Sequence, residues 1–209
     1  MTTFLPRTPL AVTALPAKGP LSQPFIRDLV LILGAIAFLS AAAQVSFEVP
    51  FSAARSGELV PITGQTFGVL LVGITLGLRR GVAATIGYLA LGLIGAPVFA
   101  QAASGPSVLF TGSTAGYLWG FLLAAAFLGW CADRGLDRGP WLHVVLLAGN
   151  ALIYAAGLPV LALWLDRHGL DVSVWQAGLW PFIPGDFAKL MGAAFAIPSA
   201  WSLVQGFRR

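Results

Sequence analysis

Two oppositely charged side chains, Asp186 and Lys189, lie near the start of the last hydrophobic stretch of the chain. They are three residues apart, so they would share one face of a helix. A charged side chain in a membrane segment costs on the order of 2.5 to 3.5 kcal/mol on insertion scales. We therefore expect both groups to face protein, water or a ligand, and they are the first candidate binding residues. The alternative is an ion pair between the two with no ligand.

The composition indicates a membrane protein and not a soluble domain. Of 209 residues, 57% are hydrophobic and only 10% are charged, whereas soluble domains carry about 25% charged residues. With Cys131 as the single cysteine, no disulfide can form within the chain, and no Cys/His cluster predicts a zinc site. We therefore expect a lipid bilayer as the solvent, and neither a metal nor a cofactor.

Six hydrophobic segments are long enough to cross a bilayer core of about 30 Å at about 1.5 Å per residue. They predict an all-α integral membrane protein with six transmembrane helices. The proline-containing residues 1–27 are predicted to form a flexible cytoplasmic tail, which leaves 28–209 as the transmembrane domain. Residues 40–43 resemble a signal-peptide cleavage site, and cleavage there would leave five spans. The predicted spans are 29–49, 63–78, 82–99, 112–131, 141–165 and 179–204.

The distribution of lysine and arginine predicts that both termini are cytoplasmic, because positively charged loops are retained on that side. Arg55 and Arg167 fall in connections predicted to lie outside, and Lys189 falls within the last span. The formal net charge of +4 then reflects topology and anionic lipid headgroups, not a nucleic-acid partner. We predict a multi-pass membrane protein. The other positive residues are Arg7, Lys18, Arg27, Arg79, Arg80, Arg134, Arg138, Arg208 and Arg209.

Two connections predicted to lie outside contain polar groups that suit a ligand. Residues 49–68 run directly into an apolar helix and place Gln65 near the outer face, where its amide could bind a ligand or join two helices. Residues 95–116 carry no charge and are rich in small residues, which can line a pocket or permit close helix packing. Their polar candidates are Gln101, Ser104, Thr111, Ser113 and Thr114.

Five ordered motifs resemble the BioY family, the biotin-specific S components of bacterial energy-coupling factor (ECF) transporters. They lie at residues 60–73, 76–81, 91–100, 115–121 and 181–190, and the resemblance extends from about residue 29 to 200. It implies the six-helix S-component fold, a location in the bacterial cytoplasmic (inner) membrane, and high-affinity capture of biotin from outside, under two closing loops.

Three positions match the ligand-contacting residues of the family, Tyr117 in the Gly-Tyr motif and Asp186 and Lys189 in Pro-Gly-Asp-x-x-Lys. The resemblance implies that all three contact biotin, and from the chemistry of biotin we predict that Lys189 pairs with its carboxylate. We also predict that Asp186 accepts from a ureido N–H, so that the two charges hold opposite ends of one molecule instead of each other, while Tyr117 packs against the apolar part.

The sequence departs from the family in the predicted lid. Residues 112–117 read Gly-Ser-Thr-Ala-Gly-Tyr where many members have Gly-Pro-Thr-Gly-Gly-Tyr, and residues 54–58 form an insertion. The contacts at Tyr117, Asp186 and Lys189 are expected to carry over. Gln65, Gln101 and Thr111 are the polar candidates from the loops.

No Walker phosphate loop is present, so any ATP hydrolysis would take place on another polypeptide. The resemblance implies a transmembrane coupling (T) subunit and two ATPase subunits, reached through small residues of the first helix. Ala37 and Ala41 have the spacing for such a contact. Some family members act without these partners, so the alternative is a stand-alone secondary transporter of biotin or another small carboxylate. A homo-oligomer is left open.

An intramembrane serine protease is a third class to weigh, because Ser104 lies in a short Ala-Ala-Ser-Gly run. Such an enzyme needs a histidine next to its serine. His143 is predicted at the inner end of a helix and His168 in an outer loop, so neither suits Ser104. We therefore expect a protein that is not an enzyme.

Overall fold

The computed structural model describes residues 8–15, 19–47 and 60–206, and the inserted residues 54–58 lie outside these ranges. Short 3-10 turns occupy Pro20–Ser22 and Ala100–Ala102, and strands β1 (Ser46–Phe47) and β2 (Ile62–Thr63) pair antiparallel. The predicted all-α class is confirmed. The helices are α1 (Leu10–Ala14), α2 (Pro24–Gln44), α3 (Gln65–Leu93), α4 (Pro106–Phe110), α5 (Ala115–Asp133), α6 (Trp141–Arg167), α7 (Val174–Gly178) and α8 (Ile183–Gly206).

Helix α3 is a hairpin of two spans and not one long helix. Gly77 has φ 78° and ψ 177°, a conformation that glycine adopts without steric cost. A Cβ on Gly81 would lie only 3.4 Å from the Cα of Gly73, whereas eight residues of a straight helix extend about 12 Å. The chain therefore reverses at Gly77. We call the halves α3a (residues 65–76) and α3b (residues 78–93), and they correspond to the predicted second and third spans.

Five helical runs among the described residues are long and apolar enough to cross a membrane, and α3 is one of them. The reversal at Gly77 divides that run into two, which agrees with the six predicted spans. The chain is thus a multi-pass membrane protein. The first span begins earlier than predicted, at Pro24, because proline is well tolerated in the first turn of a helix.

One end of the bundle gathers Arg79, Arg80, Arg134 and Arg138, and we call it the basic end. Here the Leu78 backbone N–H donates to Asp133 at 3.2 Å, next to the reversal at Gly77. At the opposite end, the Gln44 amide donates to the Phe99 carbonyl at 3.0 Å. The connections between spans thus alternate between the two ends, as an up-and-down bundle requires.

Part of the predicted N-terminal tail packs against the basic end. Leu10 and Val12 of α1 are buried, and the Pro9 ring lies against Gly77. The Thr8 carbonyl accepts from Arg138 at 3.4 Å. Burial of these apolar side chains fixes residues 8–14 to the bundle, while the predicted domain boundary at residue 27 stays a prediction.

Helix α5 occupies the centre of the bundle, and α2 lies at its edge. Within the most apolar 18-residue stretch of each helix, 67% of the residues of α5 are buried, compared with only 11% of those of α2. Close approach to α3 depends on Gly129, because a Cβ there would lie 2.5 Å from the Leu78 nitrogen. Because α5 packs between α3 and α6, its N-terminal end can contact a ligand bound there. Helix α2 has one face that no other described helix covers.

Candidate functional site

A cavity of about 240 Å³ opens at the end of the bundle opposite the basic end, and we call this the cavity end. Its walls come from β2, the start of α3a, the loops on either side of α4, and helices α5, α6 and α8. Among the described residues that line it, Lys189 alone carries a formal charge. The aromatic part of the wall consists of Phe99, Tyr117, Phe121, Tyr154 and Phe182.

The Lys189 side chain lines the cavity and is 15% exposed. Its Nζ donates to Thr66 Oγ1 at 2.9 Å and to Asp186 Oδ1 at 3.2 Å. An ammonium has three N–H donors and no acceptor. Two of the three are thus engaged by described residues, and the cation is placed to offer the third to a ligand.

Asp186 lies behind Lys189, is 5% exposed, and is not among the described residues that line the cavity. Its Oδ2 accepts from the Asn150 amide at 3.1 Å and from the Tyr154 hydroxyl, and Oδ1 accepts from Lys189. The prediction that the two charges do not pair with each other is therefore wrong. A carboxylate buried among apolar helices needs donors, and a cation three residues away on the same face supplies one.

Tyr117 lines the cavity with its ring and donates its hydroxyl to the Gly178 carbonyl at 2.9 Å. The ring stands edge-on to that of Tyr154, with centroids 6.1 Å apart. Gly157 makes room for it, because a Cβ there would lie 2.5 Å from the Tyr117 ring. The structure thus places Tyr117 as an aromatic wall whose hydroxyl joins α5 to α7.

Gln65 lines the cavity, but its amide is engaged by protein. Its Oε1 accepts from the Thr63 hydroxyl at 2.9 Å and its Nε2 donates to the Tyr88 hydroxyl at 2.7 Å. Tyr88 in turn donates to the Val98 carbonyl at 3.1 Å. The structure agrees with the interhelical alternative, because Gln65 joins α3a to α3b. Gln65 also forms part of the cavity wall, and its contact with a ligand stays a prediction.

The two remaining loop candidates have different positions. Gln101 lines the cavity from the 3-10 turn, with φ 56°. Thr111 does not line it and instead donates to the Ser107 carbonyl at 3.0 Å. A threonine at the end of a short helix commonly bonds to the carbonyl four residues before it, which turns Thr111 away from the site. Ser113 and Thr114, but not Ser104, also line the cavity.

Three residues that the sequence analysis did not select complete the site. Asn150 and Tyr154 of α6 hold the Asp186 carboxylate, and Thr66 of α3a accepts from Lys189. An amide and a phenol four residues apart in an apolar span share a helix face, which could have indicated a polar contact. Asn150 Oδ1 is buried with no hydrogen-bond partner among the described residues.

Ala37 and Ala41 lie away from the cavity, on the exposed side of α2. A Cβ built on the neighbouring Gly34 would meet nothing within 4 Å. This face of α2 is therefore open along its small residues and is separate from the ligand-sized cavity.

Residues 11–206 match the BioY family. The protein named Biotin transporter BioY of Thermotoga maritima is 38% identical over 135 residues, covering 65% of this chain and 77% of that protein. The protein of the same name in Rhodobacter capsulatus is 40% identical over 145 residues, covering 63% of this chain and 74% of that protein. A crystal structure of the S-component for biotin from an ECF-type ABC transporter has a TM-score of 0.68 at 21% identity, covering 83% of this chain and 89% of that one. The predicted S-component fold is confirmed, and the chain belongs to the BioY family.

Proposed function

We propose that this protein binds biotin in the cavity and serves as the substrate-capture component of an ECF-type transporter. The observation that carries the proposal is Lys189, a cation with an N–H to offer on an otherwise uncharged, largely aromatic wall. Biotin presents a carboxylate for an ammonium and an apolar ring system for aromatic side chains. The relatives named as biotin transporters support the same ligand.

Each part of the cavity has a role in this proposal. Lys189 pairs with the carboxylate, Tyr117 and Phe121 pack against the apolar ring system, and Gln101 supplies a polar group from the loop. Asp186 acts differently from the sequence expectation. Because three protein donors already engage its carboxylate, we assign it to holding Lys189 in place instead of to the ureido group.

Titration of the purified protein with biotin tests the ligand assignment. Lys189→Ala should weaken biotin binding by about 1.5 to 3 kcal/mol, or roughly 10- to 150-fold, because a charge-assisted hydrogen bond is lost. Arg79→Ala is the matched control, since it removes an exposed cation at the basic end. Unchanged affinity in Lys189→Ala would overturn the role of Lys189. Tight binding of another vitamin or a simple carboxylate, with biotin inactive, would overturn the ligand.

The charges support a cavity end that faces outside the cytoplasmic membrane. Four arginines gather at the basic end, and positively charged segments stay in the cytoplasm. A Cys131→Ala protein with a single new cysteine tests this orientation. A membrane-impermeant thiol reagent on intact cells should label Ile94→Cys at the cavity end and spare Arg79→Cys. The reverse pattern would overturn the orientation.

The open face of α2 supports contact with a coupling (T) subunit, which would bring two ATPase subunits. Small residues at this spacing allow helices to approach closely, so a double Ala37→Leu and Ala41→Leu variant should lose the partners and uptake while keeping biotin binding. The matched control is Ala151→Leu with Ala155→Leu, an exposed pair of the same spacing on α6. Uptake by vesicles that contain this protein alone, driven by an ion gradient, would instead identify a stand-alone transporter.

A further inference from the structure

Thr66 and Lys189 present two hydrogen-bond donors side by side on the cavity wall. Both residues line the cavity, and Lys189 Nζ lies 2.9 Å from Thr66 Oγ1. An ammonium can only donate, so Thr66 accepts in this bond and keeps its own hydroxyl proton for another partner. Lys189 keeps one N–H beyond those directed to Thr66 and Asp186. The wall therefore offers an O–H and an N–H from neighbouring atoms.

Hydrogen bonds behind the wall fix both donors. Thr66 follows Gln65, whose side chain is buried and bonded to Thr63 and Tyr88. This anchors the first turn of α3a. On the other side, Lys189 is held by Asp186, whose carboxylate is itself fixed from α6. A pair held in this way does not have to be ordered when a ligand arrives, which lowers the cost of binding.

We propose that Thr66 determines specificity for a carboxylate, with its hydroxyl donating to one carboxylate oxygen while Lys189 donates to the other. Two donors on atoms 2.9 Å apart suit the two oxygens of one carboxylate, and paired charge-assisted hydrogen bonds add geometric specificity. This inference rests on the proposed binding of biotin and names a second group at the same site. A neutral group in place of the carboxylate gains much less from this pair.

The test compares biotin with its primary alcohol, biotinol, in which a neutral hydroxyl replaces the carboxylate. Thr66→Val should weaken biotin binding about tenfold and change biotinol binding less than twofold, because a hydrogen bond to a charged group is lost. Thr66→Ser should restore the preference for biotin. Thr75→Val is the matched control, since this threonine of the same helix half donates to the Leu71 carbonyl. Equal losses for both ligands would overturn the proposal.

A second measurement separates direct contact from an effect through Lys189. In a D186N/K189M background, both charges are removed together, so no buried charge is left unpaired. Thr66→Val should still weaken biotin binding several-fold there, whereas loss of the effect would show that Thr66 only positions Lys189 and would overturn the proposal. Wild-type affinity in Thr66→Val, with Lys189→Ala weakened, would overturn the Thr66 assignment alone. Absence of biotin binding by the wild type would overturn the proposed function and the Thr66 assignment with it.

Discussion

Each end of helix α8 contains or contacts a buried aspartate that has a basic neighbour, Asp186 with Lys189 at the cavity end and Asp137 with Arg138 at the basic end. The two pairs differ in the surroundings of the cation. At the cavity end, Lys189 keeps a donor for the cavity. At the basic end, the Arg138 guanidinium stacks on Trp201, with its Cζ 3.5 Å from the ring centre, and Asp137 is 0% exposed. Both ends therefore hold a buried acid beside a cation, and it is the position of Lys189 on the cavity wall that leads us to propose a binding site there.

The acids in the two pairs also have different partners. Asp186 is held by donors from α6 and by Lys189 on its own helix. Asp137 accepts from the Trp201 Nε1 at 2.9 Å, while its Oδ1 lies 3.4 Å from Arg138 Nε without a hydrogen bond. The pair at the basic end thus joins α8 to the loop between α5 and α6. We infer a purely structural role for it, which the following predictions test.

The largest effect is expected from Asp186→Ala. This change leaves the Lys189 charge unpaired and removes the acceptor of Asn150 and Tyr154, so unfolding should become easier by about 3 to 5 kcal/mol. Biotin binding should weaken as well. Thermal or denaturant unfolding in detergent measures the stability, and biotin titration of the folded fraction measures the affinity.

Asp28→Ala is the control for that experiment. Asp28 forms an ion pair with Arg80 at 2.7 Å, but its side chain is 38% exposed. An exposed pair of this kind contributes about 0 to 1 kcal/mol. Equal losses of unfolding free energy in Asp28→Ala and Asp186→Ala would show that burial does not determine how much an ion pair contributes to stability.

An intermediate effect is expected from Trp201→Phe at the basic end. An aromatic ring is kept, although a smaller one, but the buried Asp137 carboxylate loses its Nε1 donor, so the free energy of unfolding should fall by about 1 to 3 kcal/mol. Biotin affinity should change less than twofold, because this contact is at the far end of α8. Trp141→Phe, at an exposed tryptophan, is the matched control. Weaker biotin binding without loss of stability would show that the two ends are coupled.

The sequence singled out the charged residues at the cavity end and not those at the basic end, for one physical reason. Asp186 and Lys189 stand out because charges are costly in an apolar span. Asp137 and Arg138 lie in a loop, where charges are ordinarily solvated, so nothing in the pattern indicates that Asp137 is buried. Its hydrogen-bond donor, Trp201, lies 64 residues later in the chain, and no local pattern predicts that contact.

The fold was more predictable than the contacts within the site. Hydropathy placed the spans, and the paired arginines after Gly77 marked the turn between the second and third. The partners of Asp186 depend on the rotation of α6 against α8, which no local pattern encodes. The loop residues show the same limit, because Gln101 lines the cavity and Thr111 does not, although both are polar residues of one uncharged connection.

The smallest effect expected is a pH dependence from the basic end. Burial raises the pKa of Asp137 above its ordinary value of 3.8, although Arg138 and the Trp201 hydrogen bond oppose the shift. An acid whose pKa is raised by folding stabilises the folded state below its unfolded pKa, and this contribution is lost as pH rises through the folded pKa. The unfolding temperature of the wild type should therefore fall, relative to that of Asp137→Asn, as pH increases from about 4. Parallel curves for the two proteins would show that the pKa of Asp137 does not change on folding. A wild type that gains stability relative to Asp137→Asn over this range would show that the attraction of Arg138 outweighs the effect of burial.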